Sequence, residues 1–126
     1  MEIQKRIVIK VVNFAFQELF GSTVLSNMNA NTMVRYWISS PDWIEITLSE
    51  SQSYANNGHF TVAGWINTTG KSGHVVVIVP GETQPGWGTQ VPCAMDTGYK
   101  MRTSKQKLSL SFGKDKKDSI HYFIYK

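Results

Sequence analysis

The chain has 126 residues, a length at which one domain buries its own hydrophobic core. Its residues are 41% hydrophobic and include four Trp, five Tyr and six Phe, a composition that excludes a disordered chain. The single cysteine, Cys93, excludes an internal disulfide, and the three histidines show no ligand spacing. We therefore expect one domain over residues 1–126 that holds neither a metal nor another cofactor.

The net charge of +4 is placed unevenly. Eight of the thirteen basic residues lie in the last 27 positions: Lys100, Arg102, Lys105, Lys107, Lys114, Lys116, Lys117 and Lys126. This asymmetry permits contact with an anionic polymer, either nucleic acid or the bacterial cell wall. Asp115 and Asp118 interrupt the lysine run, so a solvated face explains the same pattern. Charge alone does not identify a partner.

The N-terminal residues do not resemble a membrane or export segment. Lys10 and Asn13 interrupt the apolar run that a signal peptide requires, so we expect no cleaved signal peptide. No apolar run reaches the ~18 residues of a membrane helix, which predicts no membrane partner.

Three helices are predicted before the sheet. Apolar residues from Val11 to Phe20 recur at intervals of three and four, which predicts a helix that ends at a left-handed Gly21. A second helix is predicted over Thr32–Ile38 with Asn31 as its N-cap. The spacing of Ser49 and Gln52 predicts a capping box for a third helix that ends near residues 56–58.

The pattern after Gly58 changes to that of strands. We expect a hairpin of strands 59–66 and 74–79, and then a loop over 84–88. Further strands are predicted over 91–95, 108–112 and 120–125. Helices followed by strands indicate an α+β fold with an antiparallel sheet of about five strands.

Several segments together resemble a known family. They are Asn29-Ala30-Asn31-Thr32-Met33-Val34, Ala55-Asn56-Asn57-Gly58-His59-Phe60-Thr61-Val62-Ala63-Gly64, Gly73-His74-Val75-Val76-Val77-Ile78 and Lys117-Asp118-Ser119-Ile120-His121-Tyr122-Phe123. In this order and spacing they resemble the type VI secretion amidase effectors, relatives of the NlpC/P60 and CHAP peptidases with a papain-like core. The resemblance spans about residues 11 to 126.

The resemblance implies a bacterial peptidoglycan hydrolase that cuts an amide of the stem peptide with a Cys-His pair. In this pair the thiolate attacks the carbonyl and the imidazole carries the proton. His74 matches the catalytic histidine. Asp96 falls where the third catalytic residue, the polar group that orients the imidazole, would lie. Trp87, in its glycine-flanked loop, and Asn13 are candidates for substrate contact. The implied partners are stem peptides and a cognate immunity protein, and the implied route is from the cytoplasm to the periplasm of a target cell.

The position of the nucleophile departs from the family. The matching segment is Val11-Val12-Asn13-Phe14, so Val11 or Val12 occupies the place of the cysteine. Neither side chain can attack a carbonyl. Cys93 is no substitute, because strand alternation directs it away from a site that Asp96 faces, and a small buried hydrophobe is the better interpretation.

Three hypotheses remain open at this point. The first is an amidase homologue whose nucleophile is lost, or missing from this version of the N-terminus. The second is a pseudoenzyme that binds wall peptides or a protein partner through the old cleft. The third is a small basic nucleic-acid-binding domain. The lack of a recognised nucleic-acid motif in the sequence argues against this third hypothesis.

Overall fold

The computed structural model describes residues 12–70, 72–95 and 105–126, and the fold over these ranges is α+β. Helix α1 covers residues 12–20, α2 covers Ala30–Ser39 and α3 covers Leu48–Asn56. Eight strands accompany them: β1 (Trp43–Ile46), β2 (Thr61–Trp65), β3 (His74–Ile78), β4 (Gln84–Gly86), β5 (Thr89–Val91), β6 (Cys93–Met95), β7 (Gln106–Lys107) and β8 (Ile120–Tyr125). Two short 3₁₀ helices, Leu108–Leu110 and Lys114–Ser119, precede β8.

Six of the strands form one sheet in the order β1-β8-β2-β3-β6-β7, and every pairing among them is antiparallel. The predicted hairpin is confirmed: β2 and β3 are neighbours, with Trp65 opposite His74 and Thr61 opposite Ile78. Strands β4 and β5 form a separate hairpin. The predicted α+β class and antiparallel sheet are therefore correct, with six strands instead of five.

Two hydrophobic layers cover the two faces of this sheet. The first layer contains Val12 and Phe16 of α1, residues of α2, and Val75 and Val77 of β3. The second contains Val76 and Ile78 of β3 together with groups from α3, Leu108, Phe112 and β8. Successive side chains of β3 thus enter opposite layers, as the twofold period of a strand requires.

Helix α1 agrees with its prediction in part. Gly21 ends α1 in the left-handed region at φ +67°, and its N–H donates to the carbonyl of Gln17 over 2.8 Å. Val12 and Phe16 are buried, whereas Leu19 and Phe20 are exposed. Val11 lies outside the described residues.

Both predicted helix caps were wrong. Asn29 caps α2 by accepting a hydrogen bond of 2.8 Å from the N–H of Thr32, which leaves Asn31 inside the first turn. At α3 the carboxylate of Glu50 accepts from the N–H and the hydroxyl of Thr47, at 2.9 and 3.0 Å. Gln52, predicted to cap, is buried instead. Its amide donates to the carbonyl of Val79, and its oxygen accepts from the N–H of Cys93.

Four strand predictions need correction. Strand β1 lies between α2 and α3 and pairs with β8, so not all the helices precede the sheet. Residues 84–88 are not a simple loop, because they form β4 and the turn to β5. The predicted strand 91–95 is divided at Pro92, which has no N–H for a ladder, into the end of β5 and β6. The alternating segment 108–112 begins as a 3₁₀ helix whose apolar residues Leu108 and Phe112 cap the second layer.

None of the helices in the described ranges is both long enough and apolar enough to cross a membrane.

Candidate functional site

His74 lies at the first position of β3, where the predicted site was centred. Its ring packs edge to face against the ring of Phe112, with the ring centres 5.1 Å apart. By alternation along β3 it shares a sheet face with Val76 and Ile78, which belong to the second layer. His74 is half-buried.

A network of asparagine side chains fixes the loop that leads to His74. The buried amide of Asn31 donates to the carbonyls of Asn67 and Gly70, at 3.1 and 3.4 Å. Its oxygen accepts from the N–H of Asn67 over 2.9 Å. A Cβ atom at Gly73 would collide with the carbonyl oxygen of Trp65 and with Asn31 Oδ1, so only glycine permits this approach. The start of α2 therefore holds the head of β3 in place.

Trp65 and Lys116 extend the surface beside His74. Trp65 is directly opposite His74 in the β2–β3 pair, so the two side chains lie on the same face. The ammonium of Lys116 lies 4.8 Å from the centre of the Trp65 ring, which is the geometry of a cation–π contact. Asp115 is 3.5 Å from the same ammonium.

The β4–β5 hairpin supplies Trp87. Its turn is Trp87-Gly88, and both residues have positive φ, +54° and +79°. The indole N–H of Trp87 donates to the carbonyl of Phe112 over 3.3 Å, and the ammonium of Lys117 lies 3.5 Å from the carbonyl of Trp87. These contacts hold the hairpin against the segment that precedes β8. We call Trp65, His74, Trp87, Lys116 and Lys117 the Trp65 surface.

Of the two predicted nucleophile positions, only Val12 lies in the described residues, and it is on the opposite face of the sheet from His74. Val12 is 1% exposed and packs in the first layer, whereas His74 belongs to the opposite face of the sheet. Asn13 is on the same helix as Val12, and its side-chain oxygen lies 3.5 Å from the hydroxyl of Ser26. Of the predicted substrate contacts, only Trp87 joins the surface around His74. Asp96 and Val11 lie outside the described residues.

Cys93 is buried, as predicted from its sequence context. Its thiol donates to the carbonyl of Glu82 over 3.2 Å. In β6 it alternates with Ala94, which pairs with Ile78 and belongs to the second layer. Cys93 is therefore directed to the other face of the sheet from His74, and the chain's only thiol cannot serve this histidine.

No protein-family model matches the chain, and no curated protein matches it.

Other polar groups lie away from the Trp65 surface. His121 Nδ1 and Glu45 Oε2 are 2.7 Å apart across β8 and β1, on the face of the first layer. The hydroxyl of Tyr122 is buried and has no hydrogen-bond partner within the described part of the chain, and burial raises the pKa of this phenol. Within the described ranges, no group of three or more His, Cys, Asp or Glu could hold a metal ion.

Sequence reasoning missed Trp65 and the lysine beside it as parts of one surface. Trp65 was predicted only as part of strand 59–66, and Lys116 only as part of a general basic region. The predicted hairpin, with strands ending at Ile66 and starting at His74, leaves seven residues between them, whereas the observed pairing of Trp65 with His74 leaves eight. A shift of one residue reverses which side chains share a face, so the predicted strand ends did not place Trp65 beside His74. The position of Lys116 depends on the 3₁₀ helix, which the sequence pattern did not predict.

Proposed function

We propose that this chain is a non-catalytic relative of the peptidoglycan amidases that binds stem peptides of the cell wall on the Trp65 surface. The observation that carries the proposal is the pair of ammonium groups, Lys116 and Lys117, beside two half-buried tryptophans. Stem peptides present free carboxylates, which ammonium groups bind through charge-assisted hydrogen bonds. The neighbouring tryptophan rings offer apolar faces to the sugar or aliphatic parts of such a ligand.

The relation to the amidases is part of the proposal. It is supported by the order of the resembling segments, by helices packed on an antiparallel sheet, and by a histidine at the head of β3. On this view the papain-like ancestor used the histidine for catalysis, and the present chain retains the surface around it.

The placement of the described side chains supports the proposed absence of hydrolysis. Amide cleavage by this lineage needs a thiolate within hydrogen-bond reach of an imidazole. Val12 is aliphatic and lies in the opposite layer, and Cys93 faces away from His74. The described residues therefore provide binding groups around His74 without the nucleophile of the lineage.

The test uses a soluble muropeptide with free carboxylates and isothermal titration calorimetry. We expect saturable binding that weakens roughly tenfold in the double variant Lys116→Gln/Lys117→Gln, because two charge-assisted contacts are lost. Lys114→Gln is the matched control, since Lys114 begins the same 3₁₀ helix but lies over neither tryptophan. Equal loss in the control would contradict a specific site.

Two further outcomes separate the alternatives. Mass spectrometry of the muropeptide after incubation should show no cleavage. A cleaved product would contradict the proposal and indicate an active amidase. Aromatic rings beside ammonium groups also suit single-stranded nucleic acid, which is the second candidate function. Binding of a single-stranded oligonucleotide more tightly than the muropeptide, with strong salt dependence, would favour that candidate instead.

A further inference from the structure

A concave region lies at the other end of β3 from His74. An apolar groove of about 410 Å³ runs between the end of α1, at Leu19 and Phe20, and the residues that follow β3, Val79 and Pro80. Leu19 is 66% exposed and Phe20 is also exposed, so large apolar side chains border the groove while facing water. Exposed apolar groups beside a concavity are typical of a binding site.

A polar pocket adjoins this groove. Its volume is about 520 Å³, and its walls are residues of α3 together with His59. His59 lines both concavities, and its ring packs edge to face on Tyr54 with centres 5.2 Å apart. The two compartments thus meet at one side chain, with an apolar side and a hydrogen-bonding side.

The chemistry of the polar pocket restricts its ligand. Its walls carry the hydroxyls of Ser49 and Ser53, the Asn57 amide and the Glu50 carboxylate, and no lysine or arginine of the described residues lines it. A phosphate or carboxylate head would meet the charge of Glu50, with no compensating cation among the described residues of the wall. Hydroxyl and amide groups beside a tyrosine ring suit an uncharged, hydroxylated head.

Size separates a small ligand from a protein partner. Each compartment falls in the range of small-molecule sites, roughly 300–1,000 Å³. A protein partner instead covers about 800 Å² of surface on each side, far more than the opening of one small pocket. We propose that this double pocket binds a single-chain amphiphile, with its alkyl chain in the groove and its hydroxylated head beside α3. The site is separate from the Trp65 surface and does not depend on the function proposed there.

The test titrates the full chain with octyl glucoside below its critical micelle concentration, followed by two-dimensional NMR. We expect saturable shifts at His59 and Tyr54, and binding roughly tenfold weaker in Leu19→Lys, which removes one apolar wall of the groove. Leu110→Lys is the matched control, because Leu110 is 65% exposed and lies next to the second layer instead. The control should bind like the unmodified chain.

Three results would overturn the proposal. Octanoate binding as tightly as octyl glucoside would refute the uncharged head group. Equal weakening in Leu19→Lys and Leu110→Lys would indicate non-specific detergent binding. Sedimentation showing a dimer that Leu19→Lys dissociates would identify the groove as a contact between copies of this chain. Circular dichroism of both variants establishes that each remains folded, which is expected because both leucines are exposed.

Discussion

Asn31 shows how a single side chain can position a functional residue that it does not touch. Its amide and carbonyl oxygen satisfy three backbone groups of the loop between β2 and β3. A buried amide in this role replaces the ladder hydrogen bonds that a loop lacks. The sequence placed Asn31 at a helix cap, where asparagine is common, because propensity cannot distinguish a cap from a residue that bonds a distant loop.

Replacement of Asn31 by alanine should destabilise the fold more than replacement of the actual cap. Asn31→Ala leaves the N–H of Asn67 and two carbonyls without their partner, and we expect a loss of about 2 kcal/mol in the free energy of unfolding. Asn29→Ala removes one exposed cap bond and should cost about 1 kcal/mol. Urea denaturation of both variants measures the difference. A smaller loss in Asn31→Ala than in Asn29→Ala would contradict the assigned role.

Elements with strong periodicity were predictable, and elements defined by partners were not. The hairpin of β2 and β3 and strand β8 follow from apolar runs bounded by turn residues. Strand β1 is only four residues long and buries only its first and last residues, so its burial does not alternate and its identity depends on pairing with β8. The segment 108–112 has the alternation of a strand, but Leu108 and Phe112 are buried through a 3₁₀ turn.

The candidate site was predictable at its centre, His74, and at Trp87. His74 at the head of its strand follows from the pattern of Gly73 and the apolar run after it. The basic residues were visible as a group, yet which of them approach a tryptophan is decided by the 3₁₀ helix Lys114–Ser119. The sequence could not show that Val12 and His74 lie on opposite faces of the sheet, because this depends on which face α1 packs against.

The turn of the β4–β5 hairpin makes a prediction at the scale of this element. Gly88 has a φ of +79° with open space around the position of a Cβ, so a side chain meets strain without a collision. Gly88→Ala should therefore cost about 1 kcal/mol of stability. Gly88→Asn should cost less, because asparagine tolerates the left-handed region.

Thermal unfolding followed by circular dichroism measures both Gly88 variants. If alanine and asparagine have the same effect, backbone strain does not explain the cost. The affinity for the muropeptide should fall in parallel with the loss of order at Trp87, since the hairpin carries this residue.

At the scale of the whole molecule, the sheet separates two layers with different tasks. The first layer joins α1 and α2 to the sheet, and the second carries the Trp65 surface at its margin. The side chains of α1 that pack on the sheet are therefore separated from His74 by the sheet itself. This separation bears on the proposed lack of amide hydrolysis.

Introduction of a thiol at Val12 provides the corresponding test. Val12→Cys is close to volume-conserving, so the chain should remain folded, and the buried thiol should react slowly with a thiol reagent. We expect no release of peptide ends from purified peptidoglycan, because the thiol lies in the first layer and His74 in the second. The unmodified chain is the control for both measurements. Cleavage by the variant alone would place the two positions together.

The four tryptophans are divided equally between the two sides of the sheet. Trp37 and Trp43 are buried 5.2 Å apart in the first layer, while Trp65 and Trp87 are half-buried against the second. Fluorescence emission from the half-buried pair should respond to a ligand on their surface, whereas emission from the buried pair should shift only when the protein unfolds. The two tryptophan pairs thus act as separate fluorescent reporters, one for ligand binding and one for unfolding, which can be followed in one experiment.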